Sequence, residues 1–300
     1  METSTFSKVL NLCEKIMSDP KFVKIHYKDG RINAVAKHIS KFYAIKNLRE
    51  GIIISKKEIL KILLSCSIDY CFWYGLSNIR PNGSSSEKMW GIIENEVESY
   101  FTKCNDEIIN REELIKGITK RLIIERFPLA AERSKHIREV IESDYINWFY
   151  QKLQDTKSKL PPSNRNMNEM LNELIVRIPG FASDMFLKRA FLFFILLNRR
   201  CGILQREMNY ILLPADYQVP KIMKFYKILQ YNSELEHKIN NHELIQKGSQ
   251  MEIEIRAASI LAADKLRVKS DSDIEVVDFY LWSRRREVNI PFHQTITTDY

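Results

Sequence analysis

Three acidic segments in the last third of the sequence combine carboxylates with aromatic or apolar neighbours. They are Pro214–Tyr217 (PADY), Glu252–Arg256 (EIEIR) and Asp278–Trp282 (DFYLW). A carboxylate beside aromatic rings and a proline turn is a common arrangement at the mouth of a binding site. We therefore expect the three segments to meet at one walled pocket that carries the chemistry of the protein.

Asp216 is the carboxylate with the most informative surroundings. It follows an apolar run, Tyr210–Ala215, and directly precedes a helical pattern that begins near Val219. An aspartate at this place can cap the helix, which stabilises it by about 1 kcal/mol. It can equally be a catalytic carboxylate, and the sequence leaves both interpretations open.

The order of motifs before Asp216 resembles that of the helix-hairpin-helix DNA glycosylases. The turn Pro179–Gly180 is followed by Lys188 on the next helix and then by Asp216 at the start of another. In that family a turn of the LPGVG type precedes a lysine-bearing helix, and an aspartate stabilises the positive charge that develops on the sugar. The present turn lacks the second glycine, because Phe181–Ala182 follows Gly180, and the interval from Lys188 to Asp216 is longer.

A second resemblance covers nearly the whole chain. Its segments are, in chain order, Asp69–Trp73 (DYCFW), Pro128–Arg133 (PLAAER), Phe186–Ala190 (FLKRA), Ala215–Pro220 (ADYQVP), Glu252–Ala257 (EIEIRA), Asp278–Trp282 (DFYLW) and Pro291–His293 (PFH). Together these segments resemble the queuosine salvage proteins. The resemblance implies an all-helical fold distantly related to DNA glycosylases, and hydrolysis of queuosine 5'-phosphate to queuine and ribose 5-phosphate without a cofactor. Two positions depart from the family pattern, since Asp69 stands where Asn is expected and Leu196 where an acid is common.

This resemblance implies chemical roles for the acidic residues. Breaking an N-glycosidic bond develops oxocarbenium charge on the ribose, which Asp216 would stabilise while it positions or deprotonates the attacking water. The 7-deazapurine leaving group has no N7 to protonate, so hydrogen bonds along the base edge must assist its departure. The candidates for those hydrogen bonds are Glu254, Asp278 and Asp69.

Aromatic rings would sandwich the base, and the candidates are Phe72, Trp73, Tyr280 and Trp282. Stacking of this kind is worth roughly 1–3 kcal/mol per base. Core packing is the alternative interpretation of each ring. Tyr280 and Trp282 are two positions apart, so on a helix they point in different directions and do not share one role. Trp73 is the first candidate.

A 5'-phosphate requires localised positive charge and hydrogen-bond donors. The candidate ligands are Lys188, Arg256 and His293. Each has a structural alternative. Lys188 can be a surface residue, and Arg256 follows Glu252 at the spacing of a helical ion pair. His293 lies near the end of the sequence, where a lone histidine can be purely structural.

Composition limits the class of protein. The net charge of +8 favours an anionic partner, but one phosphorylated small molecule satisfies it, so nucleic acid is not the expected partner. Five cysteines without a CxxC motif predict neither a disulfide framework nor a metal site. The N-terminus lacks the order of a signal peptide, and the longest apolar run, Ala190–Leu197, is too short to span a membrane. We expect a cytoplasmic monomer that has no membrane contact.

Helical spacing dominates the elements that must position these residues. Apolar residues recur at i, i+3, i+4 and i+7 from Val219 to Leu229, behind Pro220, and similar stripes occur elsewhere. Short strands are possible at Phe22–Tyr27, which leads into a turn signature at Lys28–Gly30. The sequence therefore predicts a mainly α, multi-helix fold with at most a small β-hairpin, in which residues 1–300 form one domain.

Three polar stretches are expected at the surface. Residues 80–87 and 160–168 are rich in Pro, Ser and Asn, a composition typical of loops. The basic stretch Ser283–Arg286 is expected to be a solvated helix face.

Two further functions remain open on sequence alone. The first is a helix-hairpin-helix DNA glycosylase, which the net charge of +8 and the Pro179–Gly180 turn favour. The second is a helical module that binds a nucleotide without cleaving it. A binding module would tolerate the substitution Asp216→Asn, whereas either enzyme would not.

Overall fold

The fold is built almost entirely from helices. The structure is a computed structural model, and it describes residues 4–27, 30–45, 51–74, 84–104, 110–159, 164–204 and 207–300. The α-helices of these ranges are α1 (Thr5–Ile16), α2 (Arg31–Ile45), α3 (Lys56–Ser67), α4 (Ser84–Cys104), α5 (Arg111–Ile124), α6 (Ala130–Glu142), α7 (Tyr145–Lys159), α8 (Asn164–Arg177), α9 (Lys188–Cys201), α10 (Gln218–Phe225), α11 (Ser233–Asn240), α12 (Gln250–Ser270) and α13 (Ile274–Ser283). Three 3₁₀ turns lie at Pro179–Ala182, Glu207–Tyr210 and Arg284–Arg286. The predicted mainly α class is confirmed.

The described residues contain one small antiparallel sheet. Strand β1 (Val23–Ile25) falls where the sequence predicts a strand, but it pairs with β2 (Leu229–Tyr231) and not with its neighbour in the sequence. The sheet therefore joins distant parts of the chain and is not a hairpin. Positions 28 and 29 of the predicted turn lie outside the described residues.

The periodic pattern around Val219 predicts the start of α10 correctly and its end too late. The helix begins at Gln218, and its Val219, Ile222 and Met223 are buried as expected. It ends at Phe225, however, and Leu229 belongs to β2. An apolar residue at helical spacing can equally occupy the buried face of a following strand, which is why periodicity alone does not find this boundary.

Two of the expected surface loops are shorter than the sequence suggests. Helix α4 begins at Ser84 and α8 begins at Asn164, so residues 84–87 and 164–168 are helical. Positions 80–83 and 160–163 lie outside the described residues. Serine and asparagine are common in the first turn of a helix as well as in loops, and composition does not separate the two.

The helices form two groups that meet at α13. Helix α12 contacts α1, α2, α10 and β1, whereas α3 contacts α4, α6, α7 and α9. Helix α13 contacts α10 and α12 of the first group and α9 of the second. One continuous cluster of buried apolar residues runs through both groups. The division of residues 1–300 into one domain stays a prediction.

A buried ion pair ties the start of α9 to α12. Asp184 Oδ2 accepts a hydrogen bond from the backbone N–H of Lys188, at 2.8 Å, and so caps α9. The same carboxylate accepts two hydrogen bonds from Arg256 on α12, at 2.8 and 2.6 Å. Both side chains are almost fully buried, so this fork fixes α9, which borders the site, relative to α12.

Candidate active site

A cavity of about 510 Å³ opens where the two groups of helices meet. Its wall is built from the segment after α3, from α4, α9 and α13, from residues 214–218 before α10, and from residues near the end of the chain. The volume lies within the range of roughly 300–1,000 Å³ that is usual for small-molecule sites. The residues predicted from the sequence that line this cavity are Asp69, Phe72, Trp73, Lys188, Asp216, Asp278 and Trp282.

Asp216 lies at the entrance to α10 and is half-buried. Its Oδ1 accepts hydrogen bonds from the backbone N–H groups of Gln218 (2.8 Å) and Val219 (2.9 Å). Asp216 therefore caps the helix and lines the cavity at the same time. The cap fixes the orientation of the carboxylate before any ligand binds, which is the kind of preorganisation that a catalytic group requires.

Asp278 is the most perturbed acid of the cavity. Burial raises the pKa of its carboxyl to about 8, and the negative charge of Asp216 adds to the effect, while Lys188 and Arg199 oppose it. Burial also raises the pKa of Asp216, but Lys188 and the two backbone N–H donors lower it. The proton is therefore held by Asp278, and Asp216 ionises first. With a pKa of about 8, Asp278 is mainly in its acid form near neutral pH.

Lys188 is an anchor for Asp69. The lysine is the first residue of α9 and is almost fully buried. Its Nζ donates to Asp69 Oδ2 at 2.6 Å and to the backbone oxygen of Asp69 at 2.7 Å. The ammonium group is thus already paired with a carboxylate and faces the cavity as a member of an ion pair. Its charge favours the ionised form of both Asp216 and Asp278.

Aromatic rings cover much of the cavity wall. Trp73 meets the ring of Phe292 edge-on, with centroids 6.3 Å apart, and Phe292 lies 4.9 Å from Tyr217. On α13, the ring of Trp282 stacks against the guanidinium group of Arg285, which lies 3.2 Å from the ring centroid. Trp73 and Trp282 are both partly exposed to the cavity. Such surfaces can stack on a planar base.

Glu254 lies outside the cavity wall. It is fully buried on α12, and its carboxylate accepts hydrogen bonds from the backbone N–H groups of Lys21 (2.9 Å), Phe22 (2.7 Å) and Val23 (3.0 Å). It therefore holds β1 against α12. The structure does not bring it to the base edge, because its carboxylate is used by the backbone.

Arg256 also lies outside the cavity wall. Its guanidinium group pairs with Asp184 and, at 3.3 Å, with Glu252. The ring of Tyr300 lies against it, 4.2 Å away. Arg256 therefore forms the helical ion pair with Glu252 that the spacing suggested, and it has Asp184 as a second partner. Its donors face these buried groups and not the cavity.

Tyr280 and His293 are buried away from the cavity as well. Tyr280 packs edge-on against Phe42 and its hydroxyl lies 3.4 Å from that of Tyr226. It points away from Trp282, as two positions on a helix require. His293 lies against Tyr300, and burial lowers its pKa to about 3. A neutral, enclosed imidazole is not placed to bind a phosphate.

Several residues of the cavity wall were not predicted from the sequence. Arg285 belongs to the basic stretch that we expected to be solvated, yet it is only 9% exposed and donates to Glu87 at 3.0 Å. A stretch of three arginines gives no sign of which one turns inward. The other polar residues that were not predicted are Glu87, Glu94, Arg199, Arg200 and Gln218, and the aromatic ones are Tyr70, Trp90, Tyr217, Phe279, Phe292 and Tyr300.

No group of three or more His, Cys, Asp or Glu side chains within the described ranges is arranged to hold a metal ion. Across the same ranges, no helix is both long and apolar enough to cross a membrane.

The sequence is similar to a family of known proteins over most of its length. A sequence model of the family described as queuosine salvage protein matches residues 56–300. A protein of Nematostella vectensis named queuosine 5'-phosphate N-glycosylase/hydrolase is 23% identical over an alignment of 352 positions, gaps included. The alignment covers 99% of this chain and 96% of the relative. A Dictyostelium discoideum protein of the same name is 25% identical over 265 residues, covering 80% and 77%. The family match includes every residue that lines the cavity.

Proposed function

The chain belongs to the queuosine salvage protein family, and on this premise we propose that it hydrolyses the N-glycosidic bond of queuosine 5'-phosphate. The products are queuine, which becomes available for tRNA modification, and ribose 5-phosphate. The relatives that match most of the chain carry the name of this activity. The observation that supports it best is the pair Asp216 and Asp278, two carboxyl groups in one aromatic cavity whose environments perturb their pKa values to different extents.

Asp216 is the proposed catalytic carboxylate. As the bond between the base nitrogen and C1' lengthens, positive charge develops on the ribose, and an ionised Asp216 stabilises it. Water then forms the new bond to C1', and Asp216 accepts its proton. The cap on α10 holds Oδ1, so the carboxylate does not reorient during the reaction.

Asp278 is the proposed hydrogen-bond donor to the leaving base. Its raised pKa, about 8, keeps it protonated near neutral pH, so it can donate where an ionised carboxylate cannot. A 7-deazapurine offers no N7, and the donor must therefore meet another acceptor on the base edge. The hydrogen bond spreads the negative charge that the departing base acquires. The base nitrogen finally takes the proton that water has lost, which balances the hydrolysis.

The base is proposed to lie against Trp73, with Phe72 and Trp282 as further walls, and Asp69 to contact its edge. Lys188 orients Asp69 and does not bind the phosphate directly. The phosphate is instead proposed to bind two arginines of the wall, Arg199 and Arg285. The guanidinium group of Arg199 lies 3.7 Å from the ring centroid of Phe279, and that of Arg285 lies 3.2 Å from the ring centroid of Trp282. Both arginines line the cavity, and the planar guanidinium group matches the geometry of a phosphate.

We propose further that the enzyme acts as a cytoplasmic monomer, without a cofactor and without binding nucleic acid. Light scattering coupled to size exclusion tests the monomer, since a dimer would elute with twice the chain mass of 35.5 kDa. Activity that survives exhaustive treatment with a chelator would support cofactor-free catalysis.

The decisive experiment follows release of free base by mass spectrometry. Purified protein is incubated with queuosine 5'-phosphate, guanosine 5'-phosphate and a DNA duplex that contains a damaged base. Asp216→Asn is measured beside the wild type. Asp144→Asn is the matched control, because Asp144 is exposed and pairs with Arg177, away from the cavity.

Release of queuine by the wild type and by Asp144→Asn, but not by Asp216→Asn, is the expected result. Base release from the duplex alone would replace the proposal with DNA repair. Binding of queuosine 5'-phosphate without release by any of the three proteins would leave a binding module in its place.

A further inference from the structure

The segment that follows α3 brings three candidate site residues to the cavity. We call residues 68–74 the Asp69 loop. It has no regular helix or strand, and Cys71 within it has a φ of 46°, a conformation that residues other than glycine rarely adopt. Carbonyl oxygens at the end of a helix and just beyond it have no partner within the helix, so their donors must come from elsewhere.

Buried cationic side chains supply those donors. Four consecutive backbone oxygens, from the last residue of α3 into the Asp69 loop, each accept a hydrogen bond from an arginine or a lysine. The cations come from two different helices, α6 and α9, both of which contact α3. The contacts are Arg189 Nη1 to Ser67 O, Arg133 Nη1 to Ile68 O, Lys188 Nζ to Asp69 O at 2.7 Å and Arg133 Nη2 to Tyr70 O at 2.6 Å.

Arg133 and Arg189 differ from Lys188 because neither pairs with a carboxylate of the described residues. Both are fully buried, at 0% and 1% exposed, and within the described part of the chain every hydrogen bond of Arg133 and Arg189 goes to an uncharged group. The ring of Tyr70 lies against both guanidinium groups, 4.4 and 5.4 Å from its centroid. A buried charge without a counter-ion is normally avoided.

Three of the uncharged partners of these arginines lie on the Asp69 loop or directly before it, and they are Ser67 O, Ile68 O and Tyr70 O. Arg133 spans two carbonyl oxygens of the loop with two nitrogen atoms, and its third donor, Nε, meets Pro128 O at 2.7 Å. Arg189 joins Ser67 O to Gly180 O. Ile68 O also accepts from the backbone N–H of Tyr70, and Gly180 O also accepts from Ser183 Oγ. Within the described residues, removing Arg133 would leave Tyr70 O without its donor, and removing Arg189 would leave Ser67 O without its donor, so the loop would have to move.

We propose that Arg133 and Arg189 are positioning residues, which fix the Asp69 loop so that Asp69 and Trp73 meet the base. The inference rests on the proposed function for the identity of the base. The fork geometry is the essential feature, because an ammonium group is a single nitrogen and does not reproduce two parallel N–H donors at fixed spacing. A lysine at either position keeps the positive charge but cannot donate the two hydrogen bonds that hold the loop.

The test uses Arg133→Lys and Arg189→Lys, measured separately in the full chain. The control is Val140→Ala, which weakens the core of α6 at a fully buried position outside the cavity wall. For each protein we would measure the inhibition constants of queuine and of ribose 5-phosphate, together with kcat and KM. Hydrogen exchange of peptides that cover residues 68–74 is measured on the same samples, and it does not depend on activity.

The lysine variants are expected to raise the inhibition constant of queuine by at least about tenfold, in the range that a small misplacement of binding groups produces. The constant for ribose 5-phosphate should stay within about twofold, because the loop is placed against the base. Exchange at residues 68–74 should accelerate, and Val140→Ala should show neither effect.

Unchanged exchange in the loop and an unchanged queuine constant, in both lysine variants, would overturn the inference. If only one variant folds, that variant decides. If neither folds, Tyr70→Leu removes the ring between the two guanidinium groups and is measured in the same way. Failure of the wild type to release queuine would instead count against the proposed function, while loop exchange would still test the positioning role.

Discussion

The two oxygen atoms of the Asp216 carboxylate have different environments. Oδ1 accepts two backbone hydrogen bonds from the start of α10, and Oδ2 accepts none from the described residues. One atom therefore serves the helix and the other remains for the reaction. The structural and the catalytic interpretations of this residue, which the sequence could not separate, are compatible in one side chain.

Replacement of Asp216 should separate the two roles. Asparagine caps a helix about as well as aspartate, whereas alanine loses about 1 kcal/mol. We expect Asp216→Asn to keep the free energy of unfolding and Asp216→Ala to lose about that amount, while both lose at least about 100-fold in kcat. Urea unfolding and queuine release measure the two quantities. Equal stability of the two variants would show that the cap contributes nothing.

Asp278 should control the alkaline limb of the pH profile. Its pKa of about 8 means that the acid form is lost as pH rises through this value. If the acid form donates to the base, kcat/KM should fall by about tenfold per pH unit above pH 8. Asp278→Asn keeps a donor that does not titrate, so its lower activity should lack this limb. A wild-type profile that is flat from pH 7 to 10 would contradict the assignment.

The same carboxyl group should make stability depend on pH. An unfolded aspartate has a pKa of about 3.9, and the folded pKa is about 8. Between these values the folded state binds a proton that the unfolded state does not, so the free energy of unfolding contributed by Asp278 falls as pH rises. Below about pH 4 both states are protonated and the contribution vanishes.

Asp278→Asn removes this contribution. The variant should therefore be more stable than the wild type by at least about 1 kcal/mol at pH 8, and the difference should shrink towards pH 4. Thermal unfolding at a series of pH values measures it. A difference that does not change with pH would mean that Asp278 titrates normally.

At the scale of elements, α12 supports the site without lining the cavity. Its Glu254 holds β1 through three backbone N–H groups, and its Arg256 holds the start of α9 through Asp184. These acidic and basic residues stand in the segment that first suggested a pocket. In the sequence, charged residues among apolar ones look the same whether they line a site or form buried contacts, because a buried ionic side chain needs a partner in both situations.

Glu254→Gln tests this placement. An amide has one acceptor oxygen and cannot accept all three hydrogen bonds, so the free energy of unfolding should fall by about 2 kcal/mol. At a temperature where the variant is folded, kcat/KM should remain within about threefold of the wild type, since the carboxylate does not reach the cavity. A loss of activity with unchanged stability would return Glu254 to the site.

At the scale of the whole molecule, the cavity exists because two groups of helices meet at α13. The site is shared between them, since Asp216 precedes α10 of the first group, while Asp69 and Lys188 belong to the second and Asp278 lies on α13. The site therefore depends on the relative position of the groups. The buried Asp184–Arg256 pair is one contact that joins them.

The charge of the whole molecule, +8, should have little influence on turnover. A substrate with one phosphate displaces few counterions, so KM should rise by less than about tenfold between 50 and 200 mM salt. A protein that contacts six or more phosphates of a duplex would lose about a thousandfold or more over the same range. Steady-state kinetics in a salt series distinguish the two. A steep dependence would indicate a nucleic-acid substrate.

The sequence by itself determined the helical class, the family resemblance and seven of the residues that line the cavity, which are Asp69, Phe72, Trp73, Lys188, Asp216, Asp278 and Trp282. These follow from local features: periodicity, turn residues, and acids beside aromatic rings. The partner of β1, the inward turn of Arg285 and the buried roles of Glu254, Arg256, Tyr280 and His293 were decided only by the tertiary structure. The physical reason is that a polar side chain needs a partner wherever it is buried, and its partner here is distant in the chain: Glu254 meets Phe22, and Arg256 meets Asp184.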